Sequence, residues 1–379
     1  MTASTRVEAL SGDFYAPGFE ISLRGADPDP VLAAHVRELK VDLDLRKLGT
    51  AEIKFSSYDD AKLRLLPSPV ELNDRVLLRL GYAGKMSAVL LGSVVTIAPD
   101  FPEDGSPVLT VRVTDSLAQL KASKPARDSV LYRNVTDAQI AEQIGRRYGL
   151  TVDAAPAADG PRHELVSQRN LDDILFLKER AMLIDCHVWM DVDPDSGAER
   201  LRFGGPADGR DASAMQTFVL AWGWLENGDV PPSLLSFKPT KAVGEQVRSV
   251  EVRGWDVHTK KPIVAKATRA PEKAGDQGGP EAAAELGGDS GRQDVVVDRP
   301  VASADEAKKL AEALLADRSY RFFTAHGRTI GLPALRPGHN VEIHGVGPDF
   351  SRTYYVEHVA HTFSDKGFFT EFDARRSVA

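Results

Sequence analysis

The residue type most crowded in this sequence is histidine. Five of its nine copies (His326, His339, His344, His358 and His361) fall within thirty-six residues. A zinc site needs convergence of this kind, with three or four imidazole, thiolate or carboxylate ligands around one ion. The spacing argues otherwise. His358 and His361 are three apart in a strand-like run and so point to opposite faces. Glu357-His358 reverses the acid order of an HExxH helix, and no Cys or paired acid completes a shell. These histidines read as surface or satisfied-core residues.

Acid pairs raise a second chemistry. Asp59-Asp60, Asp172-Asp173 and Glu357 could supply the two carboxylates that flank a sugar in cell-wall hydrolysis. Asp172 and Asp173, however, open a predicted helix, where the backbone dipole favours negative charge without any catalytic role. No GxSxG elbow, GxxxxGK[ST] loop or GxGxxG loop occurs, so neither an esterase-like nucleophile nor a nucleotide cofactor is called for. The single cysteine, Cys186, lies in an apolar run and reads as a buried inert thiol. Trp189, Trp222, Trp224 and Trp255 sit in strand-like runs, where core or subunit-interface packing is the expected use rather than a sugar platform.

The totals bound the class. The 379 residues suffice for two or three domains, and 42% hydrophobic with 27% charged residues is a globular composition. No run approaches the roughly eighteen apolar residues of a spanning helix, and MTASTRVEAL shows no Sec-type pattern, so synthesis should end in the cytoplasm. With 47 Lys plus Arg against 55 Asp plus Glu the formal charge is −8. No basic block marks a nucleic-acid surface.

Period-two alternation dominates from Asp13 to Asp115. Phe19, Ile21 and Leu23; Leu39, Val41, Leu43 and Leu45; Ala51, Ile53 and Phe55; then Val76 to Tyr82, Ser87 to Ile97 and Val108 to Thr114 give about six strands, a barrel or sandwich with one wet face. The next stretch, Ser116 to Pro206, changes period. A capping box at Thr136 and Gln139 starts one helix, Asn170 with Asp173 is expected to cap another, and Cys186 to Val192 and Leu201 to Phe203 are strands: a compact α+β module. Strands return at Phe218 to Leu225, Leu234 to Lys238, Val247 to Gly254 and Ile263 to Ala267. Arg269 to Asp294 is rich in Gly, Ala and charge, offers little to bury, and is expected to be a flexible loop.

The last eighty or so residues carry the strongest signals. Ser303 with Glu306 begins a helix over 303–320, whose Ala307, Leu310, Ala311, Leu314 and Leu315 share a face. In GLPALRPG, Gly331, Pro333, Pro337 and Gly338 bar a helix and permit a turn; Gly367 then closes a hairpin between strands around Tyr354 to Val359 and Phe368 to Phe372. These five residues are the expected structural site, geometric rather than chemical. Catalytic, cofactor-binding and metal residues are expected to be none.

Four blocks in this order resemble the phage late control D proteins, the contractile-tail baseplate hub that corresponds to the N-terminal part of VgrG-like spikes. They are RNVTDAQIAEQIGRRYGL; QRNLDDILFLKERAMLIDCHVWMD; LLSFKPTKAVGEQVRSVEVRGWDVHTKKPIVAKA; and HGRTIGLPALRPGHNVEIHGVGPDF with RTYYVEHVAHTFSDKGFFTEFDARR. The similarity covers most of Leu131 to Arg376 and, more weakly, Phe14 to Asp115. It implies a mostly β, α+β chain: a first tube-like antiparallel β-barrel domain over 1–115, a small α+β domain over 116–206, and a second tube-like barrel over 207–379 interrupted at 269–294. It further implies a non-enzymatic homotrimer that adapts a sixfold inner tube above to a threefold spike below, with baseplate wedge proteins around it and the membrane met only through the device. Since only Ala374 to Ala379 follow the closing strands, the spike is expected to be a separate protein. A tail-associated peptidoglycan hydrolase is the alternative.

Overall fold

The computed structural model describes residues 6–8, 16–56, 58–59, 64–65, 68–121, 130–155, 160–205, 216–224, 231–268 and 292–376. The first strand-rich part contains β1 (Arg6–Glu8), β2 (Pro17–Leu23), a short helix α1 (Pro30–Ala34), β3 (Val36–Asp44), β4 (Thr50–Ser56), β5 (Tyr58–Asp59), β6 (Arg64–Leu65), β7 (Arg75–Tyr82), β8 (Lys85–Asp100) and β9 (Val108–Asp115). A 3-10 turn, Ser116–Lys121, leads to β10 (Val130–Val135), α2 (Asp137–Arg147), β11 (Val152–Ala154), β12 (His163–Gln168), α3 (Asp173–Met182), β13 (His187–Val192) and β14 (Glu199–Gly204). Then come β15 (Thr217–Ala221), β16 (Leu234–Lys241), β17 (Ser249–Asp256), β18 (Lys261–Thr268), β19 (Gln293–Val296), α4 (Ala304–Tyr320), β20 (Phe323–Ile330), β21 (Asn340–His344), β22 (Thr353–Ser364) and β23 (Gly367–Arg376).

The chain is mostly β, with a curled half-barrel sheet and few helices, and an α+β module lies between its two strand-rich parts. The two parts share one thirteen-stranded sheet, joined where β1 pairs with β15 and, more extensively, at β22. Its start, Thr353 to Tyr355, pairs with β21, and His358 to Phe363 then pairs with β3 of the first part. Its opposite edge pairs with β23, with a register shift between Val356 and His358. A bulge bends a strand and re-aims it, which lets one strand serve two neighbours in succession. Most ladders are antiparallel, but β15 runs parallel to β1 and to β21, β11 parallel to β14, and β17 parallel to β19.

The alternation that marks β2 to β9 has a plain cause: Ile21, Leu39, Val41, Ile53, Leu78, Leu80, Val111 and Val113 are buried in one cluster on a single face. The α+β module buries Ile140, Ala141 and Ile144 of α2 against Ile174 and Leu177 of α3 and Leu201 and Phe203 of β14. Helix α4 lays Ala307, Leu310, Ala311 and Leu315 on Val250, Val252 and Ile263 of the β18–β17–β19 sheet. Burying one such Leu contributes about 1.5–3 kcal/mol before chain entropy is counted.

Several boundaries differ from expectation. The third helix is capped by Asp172, whose Oδ1 accepts from Leu175 N at 2.8 Å, and not by Asn170, which takes a left-handed φ of 50 just before it. The Phe218 to Leu225 strand ends at Ala221, and Leu225 lies outside the described residues. Of Arg269 to Asp294, residues 269–291 lie outside the described set, and the flexible loop expected there must end sooner. Gln293 and Asp294 are already in β19, where Asp294 accepts from Arg318 at 3.2 Å. Strand β20 and the antiparallel β10–β12 pair have no counterpart in the sequence reading.

Candidate functional site

The site is built where the closing turn, the sheet and the helices meet. Gly331 donates its N–H to Phe368 O at 2.9 Å and accepts from Tyr82 OH at 3.1 Å, so it is held between β23 and β7. A Cβ there would stand 2.1 Å from the Phe368 ring, which is why the position is glycine. Gly338 has φ 91 and donates to Val356 O at 2.8 Å. Gly367, at the β22–β23 turn, precedes Phe368, so the hairpin tip and the start of the closing turn are in contact. Pro333 and Pro337 lie between the two turn glycines, and Pro337 lines a cavity described below.

Within that turn, Arg336 is buried and reaches outward to both other parts. Its Nη2 donates to Ala88 O of β8, and its Nη1 lies 3.7 Å from Asp191 of β13. Strand β13 alternates, and one of its faces meets the large sheet three times. His187 contacts Arg375, Trp189 packs with Leu45 and Tyr355, and Asp191 faces Arg336. A cavity of about 20 Å³ remains here, lined by Asp44, Asp115, Trp189, Asp191, Arg336 and Pro337 among others. It has room for one water. Burial pushes the Asp115 carboxyl up to about 7, although it accepts from Gly49 N at 2.7 Å and Leu117 N at 3.1 Å.

A second junction joins α4 to the module. The capping box expected at Ser303 is half formed: Ser303 Oγ accepts from Glu306 N at 3.1 Å, but Glu306 Oε2 accepts from Ala302 N instead of the cap's own N–H. The other Glu306 oxygen lies 2.6 Å from His163 Nδ1, and His163 Nε2 lies 3.0 Å from Asp137 Oδ2. Arg180 Nε donates to Asp137 Oδ1 at 2.6 Å, and its Nη2 lies 2.7 Å from His163 Nε2. Burial by itself would lower the His163 pKa, but the hydrogen bonds to Asp137 and Glu306 outweigh it and carry it to about 9. Sequence reading missed this cluster, because Asp137, His163, Arg180 and Glu306 share no motif spacing.

The histidines and acids singled out in the sequence are placed as follows. His326, Asp373, His358 and Asp42 form a hydrogen-bonded row across β20, β23, β22 and β3, with steps of 2.8, 3.0 and 2.9 Å. Asp373 and then Asp42 raise His358 to about 9, and His358 in turn holds Asp373 down to about 2. His361 points to the other face, fully buried 2.9 Å from Thr370 Oγ1, and His339 stacks on Phe218. His344 pairs with Glu342 at 2.8 Å. Among the described residues no group of three or more His, Cys, Asp or Glu is placed to hold a metal.

Asp172 is the helix cap, and Asp173 is buried rather than solvated, accepting from Tyr148 OH at 2.6 Å and Gln168 Nε2 at 2.7 Å. Glu357 lies between Arg375 Nε at 2.7 Å and Arg46 Nη2 at 3.2 Å. Asp59 falls in β5, and Asp60 lies outside the described residues. Cys186 is buried, with its thiol pushed up to about 12 by burial. Of the tryptophans Trp189 is in the core, while Trp222, Trp224 and Trp255 are exposed, so of the two expected uses core packing holds for Trp189 alone.

This architecture matches solved tail proteins along their whole length. The 43 kDa tail protein of prophage MuSo2 from Shewanella oneidensis superposes with a TM-score of 0.68 at 14% identity, over 96% of this chain and 99% of that one. A tail protein from Neisseria meningitidis gives 0.65 at 15% identity, over 95% and 97%. A component of the Escherichia coli type VI secretion system, itself structurally similar to bacteriophage T4 tail proteins, gives 0.58 at 14% identity, over 94% and 76%. At such identities the likeness establishes a shared fold. The chain has the mostly β fold of these phage tail and secretion-system proteins.

A family model described as the Alg8 N-terminal domain matches residues 228–365, less than half of the chain. That stretch omits β15 and stops at the turn before β23, so it cuts through the large sheet rather than following a structural unit. No curated protein matches the chain.

Proposed function

We propose that this protein is the structural hub of a contractile-tail or injection-device baseplate, of the late control D type. In this reading 1–115 and 207–379 are two tube-like barrel units, with the α+β domain 116–206 between them. Three copies place six barrel units in a ring, adapting a sixfold inner tube above to a threefold spike below. A spike and surrounding wedge proteins are its partners, and the membrane is met only through the device. Gly331, Pro333, Pro337, Gly338 and Gly367 are structural turn residues that lock the closing strands onto the first barrel unit.

The observation that carries this reading is the end-to-end likeness to tail proteins, 96% of this chain on 99% of the MuSo2 protein. The charged clusters support it: each joins separate parts of the chain, and Asp172, Asp173 and Glu357 already serve a cap, a buried network and an arginine pair. We therefore assign no enzymatic role. Co-expression with the neighbouring spike gene tests the assignment. A stable complex with three copies of each chain is expected, and failure to bind tube and spike components alike would refute it.

A further inference from the structure

The β18–β17–β19 sheet packs one face on α4 and leaves the other open. On the open face Trp255 is 56% exposed, Val264 58%, Val295 48% and Val297 69%. Charged residues stand among them: Arg253 is opposite Val264, and Glu251 is flanked by Lys266 and Val295. Exposed Lys260 and Lys261 mark the turn into β18. Aligned apolar side chains with an aromatic and an arginine are the composition of an interface rather than of free surface.

The first strand-rich part carries the opposite counterpart. Strand β8 runs on past its last β7 partner at Ser93 and ends at Asp100, where its pairing with β9 holds the tip in place. The turn that follows presents Phe101, 60% exposed, beside exposed Asp100, Glu103 and Asp104. The molecule thus shows solvent an aromatic set among acids at one place, and at another a tryptophan face where Arg253, Lys260 and Lys266 outnumber Glu251 and Asp256. Copies of a chain with formal charge −8 repel one another at large, so any contact between them must form where the local charges are opposite.

We propose that these surfaces are partners: the β8–β9 tip of one copy seats on the open β17–β19 face of the next, with Phe101 against Trp255 and Val264 and the acids facing Lys260 and Lys266. Because the contact joins two different patches it is head-to-tail, the kind of interface that generates a ring where its rotation closes, as the hub reading requires. The inference rests on the hub reading and names the surfaces that would build the ring.

The test uses the full chain carrying Phe101→Cys and Val264→Cys, with native Cys186 left in place because its buried thiol stays silent. Mild oxidation is expected to give covalent oligomers from the double variant and none from the parent. Separately, Glu103→Lys with Asp104→Lys should weaken self-association about tenfold, as should Lys260→Glu with Lys266→Glu, and combining the two sets should restore it. A ring that forms without cross-links and ignores both charge reversals overturns the docking but leaves the hub reading intact. A chain that never self-associates, alone or in an assembled baseplate, overturns both. Capture of another protein's acidic segment in place of a second copy also overturns the docking.

Discussion

His163 Nδ1 lies 2.6 Å from Glu306 Oε1, tying β12 of the central module to the first turn of α4 across 143 residues of sequence. Asp137 and Arg180 complete the cluster, which adds a proton-dependent tie to the apolar packing that seats α4. The His163 pKa is raised to about 9 in the folded chain against an ordinary value of 6.5. A histidine raised in this way contributes stability that is fully present below pH 6.5 and is lost as pH rises through 9. His163→Ala should cost about 3 kcal/mol at pH 6 and much less at pH 10. Urea unfolding at the two pH values checks this. Equal losses at both would show that His163 acts through packing alone.

Gly331→Ala should destabilise by about 1–3 kcal/mol, because the added methyl group would collide with the Phe368 ring. Gly244→Ala is the control: a Cβ there meets nothing within 4 Å, and a change under about 0.5 kcal/mol is expected. Thermal melts of the two variants should separate clearly. Similar melting temperatures would mean that the closing turn is not held as described.

Asp172→Ala should remove the α3 cap and cost ~1 kcal/mol. Asp173→Ala should cost more, about 1–3 kcal/mol, since it removes the buried acceptor shared by Tyr148 OH and Gln168 Nε2. Purified peptidoglycan should be untouched by the parent and by both variants. Cleavage by the parent that either substitution abolishes would restore the hydrolase alternative.

Much of the fold was legible because burial follows a simple period. The β2 to β9 strands alternate large apolar and polar residues, and that alternation is the one-sided core around Leu39, Ile53 and Val111. Strand β20 escaped for the opposite reason. Its inward residues after Phe323 are Ala325, Gly327 and Thr329, small because the Phe372 ring fills the space above Gly327, where a Cβ would come within 2.2 Å. A strand made inward-small by its neighbour's ring leaves no apolar period to read. The turn residues could be recognised from their Gly and Pro chemistry. The His163 cluster could not, because its four members converge only through tertiary packing.

Cys186 should not react with an aromatic disulfide reagent in the folded chain at pH 8, since its thiol is buried and pushed up to about 12. In denaturant it should react within the mixing time of a hand experiment. Fast labelling of the native protein would mean that the module core around Ala181, Cys186 and Phe203 is not packed as described.

The measurement that bears most directly on the proposed hub is the copy number and symmetry of this chain inside an assembled baseplate, determined by electron cryomicroscopy. Three copies are expected between the last sixfold ring of the tube and the threefold spike, each placing two barrel units in a pseudo-sixfold ring. Six copies at that level, or a baseplate that assembles without the chain between tube and spike, would contradict the assignment.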